Sequence, residues 1–376
     1  MFNRFYGFGY FLLSMLLFVF LLSCQSAPEV IIKEVPVIKT SVMDGFSIIE
    51  YDLPETILVC GEKIDLTNPE NFEMFEREFI ISVWDRAQVF MWLKRSGRFF
   101  PYFEKRLAEA ELPDDLKYLA VAESSLHTHI KSKAGALGIW QFMKETAKRY
   151  GLRIERGVID ERLNYERSTD AAITYIKDLK AKFNTWLLVM AAYNCGENKL
   201  NKALKNQKDT YVNLHLPRET ERYIYRIAAI KYLMNNYDKF GYKVKSERFY
   251  KPEQTETISV DVQERIYISD FAKHSAMKQK TFMDFNPQLL SSLLPMGQFE
   301  LKAPAGCTAK YTEALSKLSS SEYRVKTQGL NSTYTVRPGD VLFNISWETG
   351  IPVNRIKRLN GLKGSRIYPG QKLILR

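Results

Sequence analysis

Residues 112–141, LPDDLKYLAVAESSLHTHIKSKAGALGIWQ, decide the fold. Pro113 suits the first turn of a helix, and Asp114 places negative charge at the positive end of its dipole. Leu116, Leu119, Ala120 and Glu123 then recur at i, i+3, i+4 and i+7, which is one stripe of a 3.6-residue period. The stretch 118–122, YLAVA, is apolar almost all round, so this helix belongs inside the protein and carries a carboxyl at its end. Burial disfavours the charged form of a carboxyl, so Glu123 is expected to titrate high, as a general acid requires. The plainer alternative is a helix that simply surfaces at Glu123. Ser124-Ser125 ends the helix and a polar loop runs to Gly135-Ala-Leu-Gly138. Beyond it, Gln141 stands between Trp140 and Phe142, one amide amid aromatics, which suits a stacked and hydrogen-bonded sugar ring. A loop packing its own Trp into the core would give the same pattern.

Glu-Ser-Ser at 123–125, Ser132, the Gly-Ala-x-Gly-x-Trp-Gln-Phe-Met run at 135–143 and Ala-Ala-Tyr-Asn at 191–194 together resemble the motif set of lytic transglycosylases with the goose-lysozyme-like fold. Within that family it is similar to the membrane-bound lytic murein transglycosylase D type. Order and spacing agree over roughly 98–235. The resemblance implies a lysozyme-like α-helical catalytic domain with Glu123 as the catalytic acid. It also implies substrate contacts from Ser132, Gln141, Met143, Tyr193 and Asn194, and places a later tyrosine, Tyr223, against the site. His127-Thr128, Lys144 and Asn198 depart from the family pattern, all at loop or cap positions.

The chain of 376 residues has room for two or three domains. Its formal charge of +11 is spread along the sequence without helix-turn-helix, RNP or zinc-finger patterns, so no nucleic-acid partner is expected. A basic surface also suits an anionic polymer, such as a glycan bearing peptide carboxylates, or an anionic membrane. The 21 Tyr and 23 Phe fit carbohydrate stacking or well-filled cores equally. His127 and His129 form a close pair without a third ligand, so neither metal nor other cofactor is expected. A monomer is expected.

Residues 1–23 read as a signal peptide: Arg4 precedes the apolar run 11–22, too short for a membrane span and right for a secretory h-region. Leu21-Leu22-Ser23-Cys24 resembles a bacterial lipobox, which would make Cys24 the lipidated residue of an envelope lipoprotein, with Gln25 pointing to the outer membrane. An uncleaved anchor is the alternative. Cys60, Cys195 and Cys307 remain, an odd number, so at least one has no partner within the chain.

Residues 24–70, dotted with prolines, read as an extended tether with short strands at 30–37 and 57–59. The catalytic domain is expected over 71–240, with helices at 71–94, ended by Gly97, and at 100–112 before the site helix. Lys144–Tyr150 finishes a helix, and Asp160-Glu161-Arg162 reads as an ion-pair cluster in a polar loop. Helices capped by Ser168 or Thr169, at 186–194 and at 218–235 complete it. The C-terminal part carries a repeat: Ile345, Ile356, Leu359, Asn360 and Pro369 recur 74 positions earlier as Phe271, Phe282, Phe285, Asn286 and Pro295. Leu373-Ile-Leu375 matches Phe299-Glu-Leu301 at the same offset. The second copy, 333–376, with Pro-Gly-Asp at 338–340, resembles a LysM module, a small α+β unit of strand, two helices and strand. The first copy, 252–304, lacks Pro-Gly-Asp and reads as a divergent LysM-like repeat, joined to the second by a linker at 305–332.

Glycosidases ordinarily use two carboxylates at a set spacing. No second acid stands out: Asp160 and Glu161 lie in the polar loop and Glu197 in a turn. The resemblance implies a single-acid reaction on peptidoglycan glycan strands. In it Glu123 cleaves the β-1,4 bond from N-acetylmuramic acid to N-acetylglucosamine and closes a 1,6-anhydro ring. Two alternatives stay open: a hydrolytic muramidase on the same fold, and a silent LysM lipoprotein that only binds the wall.

Overall fold

The computed structural model describes residues 50–207, 211–263, 266–319, 333–349, 351 and 353–375. The expected signal peptide, the expected lipobox with Cys24 and the strand expected at 30–37 lie outside them. No helix among the described residues is long and apolar enough to cross a membrane.

The folded unit begins at Leu53, so the last part of the expected tether belongs to it. Strands β1 (Thr56–Val59) and β2 (Glu62–Asp65) pair antiparallel around a turn in which Cys60 and Gly61 both have positive φ. Val59 and Ile64 are buried, and the hairpin grips the domain through polar atoms. The Cys60 amide donates to Asp115 Oδ2 at 2.7 Å. Glu62 accepts from the amides of Trp186 (2.5 Å) and Leu187 (3.2 Å). A carboxylate from the hairpin thus caps the helix that carries Tyr193, satisfying donors that a helix start leaves open.

Helices α1 (Pro69–Trp84) and α2 (Arg86–Glu109) replace the two expected at 71–94 and 100–112. The break falls at Asp85, whose carboxylate caps α2 by accepting from the Gln88 amide at 3.1 Å, and α2 runs straight through Gly97. Glycine serves close approach there: a Cβ on Gly97 would sit 2.7 Å from Phe249 Cβ and 2.9 Å from the Tyr250 carbonyl oxygen. The site helix α3 (Lys117–Ser124) follows a 3-10 turn at Asp114–Leu116. Leu116, Leu119 and Ala120 are fully buried, as the stripe predicts.

After α4 (Lys144–Arg149), a small hairpin of β3 (Ile154–Glu155) and β4 (Ile159–Asp160) leads to α5 (Tyr165–Phe183). The cap of α5 is Asn164, whose side-chain oxygen accepts from the amides of Glu166 and Arg167; Ser168 and Thr169 are buried inside the first turns instead. Helices α6 (Trp186–Cys195), α7 (Glu197–Gln207) and α8 (Arg218–Asn235) complete the domain. α1, α3 and α6 all pack on α8. Its Tyr223, Ile227, Ala228 and Ile230 are buried at the centre.

Two small α+β modules follow, so the chain is mainly α as expected. The first has β5 (Thr255–Val262), α9 (Ile268–His274), α10 (Gln279–Phe285) and β6 (Gly297–Pro304). The second has β7 (Thr333–Thr335), α12 (Leu342–Thr349), α13 (Val353–Leu359) and β8 (Lys372–Ile374). In each, the two strands pair antiparallel. Asn286 and Asn360 make the same clamp: the amide nitrogen donates to a carbonyl one turn back and to the closing strand, whose amide returns a bond to the side-chain oxygen. The clamped strand residue is Lys302, 16 positions after Asn286, but Ile374, only 14 after Asn360. The closing strands therefore correspond as Leu301 with Leu373, two residues off the match at constant offset; alternation of buried positions hides such a shift. The linker expected at 305–332 is helical over α11 (Thr308–Leu318), whose Tyr311, Ala314 and Leu318 enter the core of the first module.

Candidate functional site

Glu123 lies at the C-terminal end of α3, half-buried. The helix ends sharply because Ser125 and Leu126 both take left-handed backbone angles (φ 54° and 59°). Left-handed angles are strained for residues with side chains, and neighbours fix this pair in place. Arg95 Nη1 donates to the Ser125 carbonyl at 3.0 Å, Gln88 Nε2 donates to its hydroxyl at 2.5 Å, and Leu126 is buried. Arg95 and Gln88 sit on α2, where nothing in the helical periodicity singles them out.

Tyr223, fully buried on α8, donates its hydroxyl to Glu123 Oε1 at 2.5 Å. Burial raises the Glu123 carboxyl most; the Tyr223 hydrogen bond and the charge of Arg226 pull it down, and Glu219 pushes it slightly up. The outcome is a pKa raised to about 7. The surfacing-helix alternative does not describe such a carboxyl. Arg226 is itself committed to Glu78 (Nε to Oε2, 3.0 Å), so it acts on Glu123 as a field and not as an ion-pair partner.

The loop after α3 supplies the other expected residues. Ser132 Oγ accepts from the Ala136 amide at 3.0 Å, and the Ser132 amide donates to the Ala136 carbonyl, so the serine closes a tight loop while its hydroxyl hydrogen stays available. Gln141 has φ 50°, and its Nε2 donates to the carbonyls of Gly138 (2.8 Å) and Ile130 (3.1 Å). Both amide hydrogens thus serve the loop, and Oε1 takes no part in these two bonds. Met143 is 46% exposed beside it. Trp140 and Phe142 are buried, and Trp140 Nε1 donates to Thr169 Oγ1 at 2.8 Å. These aromatics pack the core, so the sugar-stacking role expected of the pair flanking Gln141 does not apply; the plainer alternative does.

Tyr193, half-buried on α6, donates its hydroxyl to the Trp140 carbonyl at 2.8 Å. Its pKa is driven far upward by burial and then by the charge of Glu123. Its ring faces Tyr175 at 5.4 Å and Phe142 at 6.5 Å between centroids. Asn194 accepts from the Thr220 hydroxyl at 2.8 Å, tying α6 to the start of α8. Glu123, Tyr193 and Tyr223 therefore share one electrostatic environment, Ser132, Gln141 and Met143 share one loop, and Asn194 ties the helices behind them.

The Asp160-Glu161-Arg162 cluster reaches the site in a way that spacing alone does not convey. Arg162 pairs with Asp160 at 2.7 Å with both side chains more than nine-tenths buried. Its Nη1 donates to the carbonyls of Gly135 (3.1 Å) and Phe142 (3.0 Å), at the two ends of the Gln141 loop. Gly138 (φ 85°) passes so close to Arg162 that a Cβ would sit 2.0 Å from its carbonyl oxygen.

Each of the three acids considered as a second carboxylate is occupied. Asp160 holds Arg162, Glu161 accepts from the Arg153 amide at 2.7 Å, and Glu197 lies between Arg149 and Lys182. Among the described residues no group of three or more His, Cys, Asp or Glu is placed to hold a metal, and Cys60, Cys195 and Cys307 are free thiols.

Residues 101–215 match the transglycosylase SLT domain family, and residues 334–376 match the LysM domain family. The first match contains Glu123, Ser132, Gln141, Met143, Tyr193, Asn194 and the Asp160–Arg162 cluster, and Tyr223 lies beyond it. The chain is 28% identical over 335 residues to membrane-bound lytic murein transglycosylase D of Escherichia coli K12, covering 84% of this chain and 71% of that one. It is 44% identical over 88 residues to peptidoglycan transglycosylase gp16 of Escherichia phage T7, covering 23% of this chain and 7% of the phage protein. The solved 70 kDa soluble lytic transglycosylase of E. coli superposes with a TM-score of 0.31 and 18% identity, over 41% of this chain and 27% of that one. The chain therefore carries a transglycosylase SLT domain and, towards its C-terminal end, a LysM domain.

Proposed function

We propose that this protein is a peptidoglycan lytic transglycosylase in which Glu123 is acid and then base. The observation that carries the proposal is one carboxyl with a pKa raised to about 7, held by Tyr223, while the other candidate acids are tied up in ion pairs and backbone contacts. A carboxyl that is partly protonated at neutral pH can donate and later accept.

In the first step Glu123 gives its proton to the glycosidic oxygen and the bond from muramyl C1 to that oxygen breaks, releasing the N-acetylglucosamine hydroxyl. In the second, the muramyl C6 oxygen attacks C1 and Glu123 takes the C6 hydroxyl proton, closing a 1,6-anhydro ring without water. The Tyr223 hydrogen bond favours the carboxylate left by the first step and fixes the rotamer from which the second proceeds. Ser132 offers a hydroxyl donor and Gln141 an acceptor to the acetamido and peptide-bearing groups of the sugar. Met143 lines the cleft, Tyr193 orients the substrate across from Glu123, and Asn194 holds the α6 end. No cofactor takes part.

The LysM module at 333–376 keeps the enzyme on the glycan strand, and a lipid on Cys24 holds it at the envelope membrane, the outer one, as a monomer. The membrane-bound relative supports an envelope location. The deciding experiment digests purified peptidoglycan with residues 25–376 and with its E123Q variant, and weighs the soluble products. Anhydromuropeptides from the wild type alone are expected. Reducing ends would make the enzyme a hydrolase, and retention on the wall without products would make the chain an anchor.

A further inference from the structure

We propose that the first LysM-like module is a buttress for the catalytic loop, acting through Arg162, and not a glycan-binding unit. The inference rests on the reading of the 130–143 loop as the substrate-binding segment.

The two modules differ in what their cores contain. The core of the second is built from its own residues, 334–375. The core of the first incorporates Val158 and Ile159 of the catalytic domain, both essentially inaccessible. Ile159 bridges Leu289 as a short antiparallel extension; the Asp160 amide donates to the Gln288 carbonyl (2.9 Å) and the Leu290 amide to the Val158 carbonyl (2.8 Å). Arg153 donates to the carbonyl of Met296 at 2.9 Å. Lys302, buried, pairs with Glu166 at 2.7 Å and lies over the Tyr165 ring. Hydrophobic closure, strand-like bonds and a buried ion pair make this junction continuous structure and not a flexible tether.

The segment held this way ends in Asp160, which aims the Arg162 guanidinium. Arg162 in turn fixes both ends of the loop that carries Ser132 and Gln141, and its carbonyl leaves room only for glycine at 138. Movement of the module therefore reaches the loop through two residues. The first copy also lacks the Pro-Gly-Asp turn that the second closes, where Asp340 accepts from the Arg337 amide and the Tyr334 hydroxyl.

The test uses the full chain. A double variant, Arg153→Ala with Lys302→Met, loosens the junction without touching the loop; Arg162→Lys keeps the module intact and cuts the second link alone. Hydrogen exchange of the Leu137 and Gly138 amides is expected to quicken about tenfold in both. In Arg162→Lys the β5–β6 amides keep wild-type exchange. With a soluble glycan too short to leave the cleft, KM is expected to rise several-fold while retention on insoluble wall is unchanged. Unchanged loop exchange in both variants overturns the proposal. So does lost wall retention with normal turnover of the short glycan, which would make the module a glycan binder. A wild type that cleaves no glycan would refute the proposed function, and the exchange measurement would still decide the coupling.

Discussion

The Tyr223 hydroxyl reaches Glu123 Oε1 at 2.5 Å from a position 100 residues further along the chain. The contact exists because α3 packs against α8, and α8 is fixed by α1, α6 and the β1–β2 hairpin. Lys231 of α8 joins the hairpin to the turn before α3, donating to Asp115 Oδ2 at 2.7 Å and to the Leu58 carbonyl at 2.8 Å. Desolvation at the end of a buried helix pushes the Glu123 proton on; the tyrosine and Arg226 pull it off. Desolvation wins, but only in part, which leaves the carboxyl near neutrality.

E123Q keeps the size of the side chain and an oxygen to accept from Tyr223, but cannot transfer a proton. Turnover is expected to fall by at least about a thousandfold, the scale of losing a group that acts as both acid and base. Retention on insoluble wall is expected to stay. In the wild type, kcat/KM should decline as pH rises through about 7, the pKa of Glu123, since the acid form starts the reaction. A flat profile to about pH 9 would separate Glu123 from the acid role.

Tyr223→Phe removes a hydrogen bond that favours the carboxylate. The Glu123 pKa should therefore rise, and the alkaline limb of the rate profile should move up, by about one pH unit. The rate at the optimum should fall about tenfold or more, because the carboxylate formed in the first step loses its donor. A limb that moves down, or not at all, would mean that the tyrosine does not set the acidity. The buried ring remains, so stability should change little beyond one hydrogen bond, about 1 kcal/mol.

Much of this site is legible locally. Leu116, Leu119 and Ala120 mark the buried stripe, Glu123 ends it, and the α8 helix begins after Pro217 and ends at Asn235 as its pattern predicts. What pattern cannot convey is which backbone atoms a polar side chain finds across the fold. Arg162 reads as one member of an ion pair, while two carbonyls 20 and 27 positions away give it its role. Gly97 reads as a helix end because glycine commonly ends helices; its actual reason is the chain at Phe249 and Tyr250 pressing on α2. Trp140 beside Gln141 looks the same in sequence whether it stacks on sugar or fills a core. Only the Thr169 hydroxyl waiting inside distinguishes them.

Trp140 and Met143 then separate packing from binding. Trp140→Phe leaves a void and deletes the bond to Thr169, so about 2–3 kcal/mol of stability should be lost with KM nearly unchanged. Met143→Ala, at an exposed position, should leave the melting temperature within a degree or two and raise KM for glycan several-fold. Measuring both quantities on both variants checks the assignment. The reverse pattern would return the tryptophan to the cleft.

Gly138→Ala probes the close approach to Arg162. The added Cβ would meet a carbonyl oxygen 2.0 Å away, at a backbone angle of φ 85° that alanine disfavours. Both effects act on the loop, so a loss of at least about 2 kcal/mol is expected, with kcat/KM falling more than tenfold. Gly135, at φ 94°, has nothing near its Cβ position, so Gly135→Ala should lose only the backbone term, about 1 kcal/mol. Equal effects at the two glycines would remove the argument from contact.

The raised pKa of Glu123 also has a signature in stability. Below its ordinary value of 4.5 both folded and unfolded chains hold the proton and nothing differs. Between 4.5 and about 7 the unfolded chain ionises while the native carboxyl stays neutral, so the unfolded state binds fewer protons and stability declines as pH rises. Above about 7 the native carboxyl is charged too and the loss is complete, on the order of 2–3 kcal/mol after allowing for its partial exposure. E123Q carries no such penalty. Its unfolding temperature should exceed that of the wild type at about pH 8 and converge with it at about pH 4. An offset that is constant across this range would mean that the native carboxyl titrates like a solvated one, and the acid–base role assigned to it would lose its physical basis.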